Sequence, residues 1–300
     1  MATIIKHEVN GKEYNYLSYS YREGKNVKKK EKYIGVSIPP FEELSDLWED
    51  FSHEIVQERW IPLIEGMVEN HRKAWNSMPL PIKAKNLRNF GIRFTHHSSK
   101  IEGSTLTLRE VKAVIEDDIT PKDKSVRDVI ETKSHMSIYE KMINSTKELS
   151  MKLICEWHEE LFQMTEPNIA GIIRNYPVSI AGSKYEPPMS KIEIEMLLDE
   201  LFKWYNAMKE KYHPVFIASV MHYRFVCIHP FGDGNGRMTR LLMNYILHES
   251  NYPMFDINAD MRGQYYNALD NADKKHRDLP FVQWFFKNYI KANKRDITEK

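Results

Sequence analysis

The amino-acid sequence predicts a mainly α-helical protein, with a small antiparallel β meander at the N-terminus and one short β-hairpin inside the helical part. Three observations carry that expectation. From residue 41 onward, apolar residues recur at spacings of three and four, beginning with Leu44, Leu47, Trp48, Phe51 and Ile55. Before the linker Ser37-Ile38-Pro39-Pro40, strand formers dominate: Ile4, Ile5, Tyr14, Tyr16, Tyr19, Tyr21, Tyr33, Ile34 and Val36. Residues 171–188 alternate Val178 and Ile180 around a turn at Ala181-Gly182-Ser183 and close on Pro187-Pro188. A hairpin there is not stable alone, so it must pack on something or clamp something.

Each element has a local reason. The turn signals Asn10-Gly11-Lys12 and Glu23-Gly24-Lys25-Asn26 divide residues 2–38 into three strands. The run Lys28-Lys29-Lys30 reads as a solvated lysine edge that blocks strand addition, in preference to a nucleic-acid contact. Beyond the first helix, helical periodicity is expected over 57–74, 83–98, 107–117, 124–145, 149–164, 190–210, 214–228, 236–249, 261–272 and 280–292. Thr107 and Ser190 are expected N-caps, and Pro214 sits where a first helical turn tolerates it. The expected domains are the meander at 1–38, a helical region at 41–90 and a core at 91–293.

Composition excludes several classes. Over 300 residues, 43 Lys+Arg against 42 Asp+Glu leave a net charge of +1, so no bulk field draws the chain to nucleic acid or membrane. A 42% hydrophobic and 28% charged chain is not disordered, collagen-like or fibrous. Two cysteines, Cys155 and Cys227, cannot build a disulfide framework and fit a reducing cytosol. The first fourteen residues have no apolar signal region, and no run of 18 apolar residues occurs. A soluble, cytoplasmic protein is therefore expected.

The chemistry concentrates at 214–249. Two helices, apolar over most of their circumference, flank the loop 229–236 and belong in the middle of a core. Glycines in that loop let backbone N–H groups converge into a nest, and the following helix adds its positive dipole end, which together make an anion site. Arg237 and Arg240, three apart, can each reach a different phosphate. Asp233 beside phosphates is a natural Mg²⁺ ligand. His229 has the pKa range to take a proton from a hydroxyl. This combination points to phosphoryl or nucleotidyl transfer. The spacing Gly232-x-Gly234-x-Gly236 is not GxGxxG and no strand precedes it, so a dinucleotide fold fails. A Walker loop is absent, and Arg237, Met238 and Asn244 stand where an EF-hand needs a ligand, glycine and glutamate. His158-Glu159 begins an HExxH, but Phe162 replaces the second histidine, which excludes a zincin.

The segment from His229 to Arg240 matches every fixed position of HxFx(D/E)GNGRxxR and so resembles the Fic family. The resemblance covers roughly residues 90–292 and leaves the meander outside. It implies a Fic-type helical core and transfer of AMP from ATP to a Ser, Thr or Tyr hydroxyl of a target protein. His229 would be the general base and Asp233 would hold Mg²⁺. Gly234, Asn235 and Gly236 would form the anion hole, and Arg237 and Arg240 would neutralise the departing phosphates. Asn235 and Arg237 count with His229 as catalytic in that reading. Residues 171–188 would be the target-docking flap, with Ala181, Gly182 and Ser183 pairing the target strand, and Tyr265 and Tyr266 would line the nucleoside pocket. Gly236, where phosphorylating Doc-like relatives carry lysine, favours nucleotidyl transfer.

Ser98-Ser99-Lys100-Ile101-Glu102-Gly103 fits (S/T)xxxE(G/N), which in this family marks an inhibitory helix, here N-terminal to the core. Ser98, Glu102 and Gly103 would then form a brake in which Glu102 pairs with Arg240 and fills the space of the ATP γ-phosphate. Alternatives are removal of AMP by the same site, transfer of another nucleotide, or a DNA-associated regulator acting through the basic meander. Self-modification and a homodimer stay open.

Overall fold

The computed structural model describes residues 2–180 and 185–298. It divides into two compact units, Met1–Leu63 and Ile64–Lys300. The division falls inside one helix, α1 (Phe41–Ser77), and not at the linker. The sequence suggested two helices over this stretch, yet α1 is continuous for 37 residues with Pro62 inside it. No glycine interrupts the helix before Gly66, so the periodic pattern runs on past the proline.

In the N-terminal unit, β1 (Ala2–Val9), β2 (Lys12–Glu23) and β3 (Asn26–Gly35) form the expected meander in the order β1-β2-β3. Both central residues of the first turn, Asn10 and Gly11, take positive φ, which matches the twist of the flanking strands. Leu17 on β2 packs with Phe51 and Ile55 of α1, and Tyr19, Tyr21, Ile34 and Trp48 close over them. The lysine run is neutralised locally. Lys28 pairs with Glu23, Lys29 with Glu31 at 2.6 Å, and Lys30 with Glu58.

The larger unit is helical. Its helices are the end of α1, then α2 (Leu80–Ile101), α3 (Leu108–Glu116), α4 (Val126–Ile143), α5 (Met151–Phe162), α6 (Lys191–Met208), α7 (Pro214–Ile228), α8 (Asn235–Glu249), α9 (Arg262–Asp273) and α10 (Leu279–Thr298). Thr107 closes a capping box with Glu110, and the Ser190 side chain accepts from the Glu193 N–H. Antiparallel α7 and α8 form the centre: most residues of both are buried, as their apolar circumference requires. Helices α6 and α10 pack on α7 and α9 packs on α10, whereas α2, α4 and α5 pack on α8. No helix among the described residues is long and apolar enough to cross a membrane.

One expectation needs correction. No described residue of 171–188 lies in a strand. The apolar alternation spans only Val178 and Ile180, and Pro177, Pro187 and Pro188 have no N–H to give to a ladder. The proposed turn residues Ala181, Gly182 and Ser183 lie outside the described residues.

Candidate active site

The loop between α7 and α8 is built by buried polar groups. The Asn235 side chain closes it, accepting the Phe231 N–H at 2.9 Å and donating to the Phe231 carbonyl at 2.8 Å. Both polar ends of Asn235 thereby hold the loop in shape. Phe231 is 1% exposed and stacks on His158 at 3.8 Å. Gly234, at φ +77°, turns the chain into α8, and a Cβ there would overlap the Phe162 ring. No side chain caps the N-terminus of α8. Its first N–H groups, at the positive end of the helix dipole, therefore suit an anion.

His229 ends α7 in the left-handed region, φ 49° and ψ 58°. Its Nδ1–H donates to the Val226 carbonyl at 3.2 Å, which leaves Nε2 as the proton acceptor. Burial, assisted by the nearby Arg174 guanidinium, lowers its pKa to about 4, so the ring is neutral at physiological pH.

The carboxylates and arginines are paired internally. Arg240 is 1% exposed; its Nη2 donates to Glu102 Oε1 at 2.6 Å and to the Ser98 carbonyl at 2.8 Å, and its Nε donates to Ser98 Oγ at 3.0 Å. Ser98 and Glu102, one turn apart on α2, grip one guanidinium from the same helix face. Gly103, at φ +107°, ends α2: the Ser104 N–H reaches the Ser99 carbonyl and the Gly103 N–H that of Lys100, a Schellman arrangement that fixes Glu102 as the C-cap. A Cβ on Gly236 would overlap Glu102 Oε1, so the absent side chain is what admits the carboxylate. Arg237 pairs with buried Glu131, stands 3.6 Å from Asp233 Oδ1, and lies over the Phe162 ring. The Asp233 side chain is 45% exposed; Oδ1 accepts the Gly234 N–H and Oδ2 accepts from Arg127 Nη2 at 2.9 Å.

Tyr265 and Tyr266 separate. Tyr265 is 1% exposed and packs among Phe281 and Trp284, with its hydroxyl 2.9 Å from His222 Nε2. Only Tyr266 keeps exposed surface, and its hydroxyl lies 3.5 Å from the Ile101 carbonyl.

Sequence reasoning missed four residues. His158, dismissed with the failed zinc motif, accepts the Gly171 N–H at Nδ1 and donates from Nε2 to the Asp233 carbonyl, tying the flap base to the loop. Arg174, 2% exposed, donates Nε to the His229 carbonyl at 2.7 Å and Nη1 to the Tyr176 carbonyl at 2.7 Å, a cation on the carboxyl end of α7. Arg127 and Glu131 are the others. Only a tertiary contact brings them near the loop, so no local spacing marks them.

Buried imidazoles set an acid limit. Burial lowers His158 and His229 to about 4 and His135 to about 3, and holds His222 well below its ordinary value. In the unfolded chain these rings protonate near 6.5. The unfolded state therefore binds more protons below that pH, and stability present above about 6.5 is lost as pH falls toward the native values. The slope is at most about 1.4 kcal/mol per pH unit for each ring. Urea midpoints are expected to fall steadily from pH 7 to pH 5; a flat profile would contradict the neutral assignment.

Comparisons place this geometry. Residues 148–247 match the Fic/DOC family. The chain is 34% identical over 195 residues to the protein adenylyltransferase Fic of Drosophila grimshawi, and 31% over 199 residues to that of Aedes aegypti. Those alignments take in 63% and 64% of this chain but 39% of each relative, so the chain spans about two fifths of the curated relatives' length. A Fic domain containing signaling protein from Bacteroides thetaiotaomicron superposes with a TM-score of 0.69 at 26% identity, over 79% of this chain and 97% of its own. A Fic family protein from Desulfovibrio desulfuricans gives 0.70 at 25% identity, over 81% and 74%.

Proposed function

We propose that this chain, whose residues 148–247 match the Fic/DOC family, is a protein adenylyltransferase, transferring AMP from ATP to a hydroxyl of a target protein and restrained by its own Glu102. The observation that supports it most is His229, with Nε2 free to accept a proton, beside the uncapped N-terminus of α8. Nε2 takes the hydroxyl proton, the hydroxyl oxygen attacks the α-phosphorus, and the bond from that phosphorus to the bridging oxygen breaks as pyrophosphate leaves. The N–H groups of the first turn of α8 bind phosphate oxygens, and Arg237 and Arg240 face the leaving charge once their carboxylate partners are exchanged. Asp233 fits Mg²⁺: a half-exposed carboxylate next to a phosphate site is the donor set this ion takes, and the ion supplies charge neutralisation on the phosphates. The segment 172–180, held by Arg174, presents Ile172 and Tyr176 at the surface, where a target strand would dock. The free thiols Cys155 and Cys227 support a reducing compartment such as the cytoplasm.

The test is incubation with Mg²⁺ and α-labelled ATP, following label on protein, with the chain itself and candidate targets present. Self-modification would register as label on the chain. In a Glu102→Gly background, adding His229→Ala is expected to lower the rate about 10²- to 10⁴-fold, the range of a lost general base. No label with any variant would overturn the ATP assignment. A second reading, hydrolytic removal of AMP, rests on the Glu102 side chain, which is 30% exposed and able to position a water. In that case Glu102→Gly loses hydrolysis and gains no transfer.

A further inference from the structure

We propose that Arg127 is an internal cation gate on Asp233: it holds the carboxylate when no divalent ion is bound and passes to Glu166 and Glu131 when one arrives. The inference rests on the adenylyltransferase reading, in which Asp233 is the metal ligand.

Arg127 occupies the second position of α4 and meets three carboxylates at once. Its Nε donates to Glu131 Oε1 at 2.7 Å, its Nη1 to Glu166 Oε1 at 2.5 Å, and its Nη2 to Asp233 Oδ2 at 2.9 Å. The atom that a metal would take is therefore already engaged by a guanidinium. Arg237 stands near the other oxygen, Oδ1, at 3.6 Å. Two positive groups facing one carboxylate oppose the arrival of a divalent cation, so the site accepts metal only if one of them yields.

The geometry shows which one. Arg237 is 6% exposed, paired with Glu131 and packed over Phe162, so it cannot swing away from Asp233 without breaking that buried pair. Arg127 is 44% exposed, and losing Asp233 would leave it two carboxylate partners. Glu131, which also accepts from Thr165 Oγ1 at 3.1 Å, is fixed in place to receive it. Release is thus a rotation of one solvated side chain between partners already in contact. An exposed ion pair of this kind is weak, as a gate must be. The pairing also hides a bare carboxylate from the phosphate tail of nucleotide that comes without metal.

Two substitutions should act with opposite sign. Arg127→Gln removes the competing charge. Metal-free ATP then meets an exposed carboxylate and binds less tightly, while Mg²⁺·ATP meets no competitor and binds more tightly. Glu166→Gln removes one of the partners to which Arg127 retreats, so Arg127 stays on Asp233. The readout is the ratio of ATP dissociation constants without and with Mg²⁺, measured by calorimetry in the Glu102→Gly/His229→Ala chain, in which turnover is expected to be slow enough for binding to be measured. Arg127→Gln is expected to raise that ratio at least about fivefold, Glu166→Gln to lower it, and Asp233→Asn to bring it near one. A role confined to stability would not move the ratio in opposite directions. A parent ratio already near one would overturn the metal assignment and the gate with it. A parent ratio above one that Arg127→Gln leaves unchanged or lowers would overturn the gate alone.

Discussion

Replacing Glu102 with glycine is expected to convert a restrained transferase into an active one, raising label on protein by about 10- to 150-fold. The estimate follows from the contact that is lost. A charge-assisted hydrogen bond contributes about 1.5–3 kcal/mol, and the Glu102–Arg240 pair must be surrendered before that guanidinium can meet a phosphate. Removing the carboxylate does not leave Arg240 adrift, because its contacts to Ser98 Oγ and to the Ser98 carbonyl persist. The fold should tolerate the change: position 102 is the C-cap of α2, where glycine costs less than in a helix interior. Glu102→Gln, which keeps the shape and loses the charge, should fall between. Equal labelling by parent and Glu102→Gly chains would sink the idea of a brake.

Glu131→Ala is expected to be the most damaging single change near the site. Glu131 and Arg237 are 8% and 6% exposed, and removing one member of a buried pair costs about 3–5 kcal/mol because the other charge is left without a partner. The Nε of Arg237 is already buried and unbonded, so no spare acceptor stands ready. In a unit of this size such a loss lowers the thermal midpoint by about 10 °C. Glu131→Gln keeps an acceptor and should cost less. Thermal unfolding of the three chains compares them directly, and an Ala variant that melts with the parent would refute the buried-pair assignment.

The catalytic loop was legible because its residues are contiguous. Histidine, aspartate, glycines and arginines within twelve positions can be assigned roles from their spacing, and the loop structure adds only which atoms are free. The Ser98–Glu102 pairing was legible for a related reason: one helical turn puts both on one face. Arg127, Glu131 and Arg174 were invisible because tertiary packing alone brings them to the loop, and a charged residue in the first turn of a helix looks like any other. His158 was misread because a histidine one turn from Phe162 suggested only a broken metal motif. It is instead a neutral linker with both nitrogens occupied. The meander was clear from its turns. The hairpin was not, because two alternating residues between prolines are too few to specify a ladder.

The sequence distance between brake and loop has a consequence for folding. The catalytic loop joins two adjacent helices that pack on each other, so its contacts are local and close early in a folding chain. The Glu102–Arg240 contact spans 138 residues and exists only once α2 has docked. On the proposed reading, restraint is acquired only after the loop has formed and is lost whenever the end of α2 opens locally. Every such opening frees Arg240 from Glu102 while the loop between α7 and α8 stays formed. Amide exchange at Ile101 and Glu102 would count those openings, and their frequency sets the floor below which the basal activity of the folded chain cannot fall.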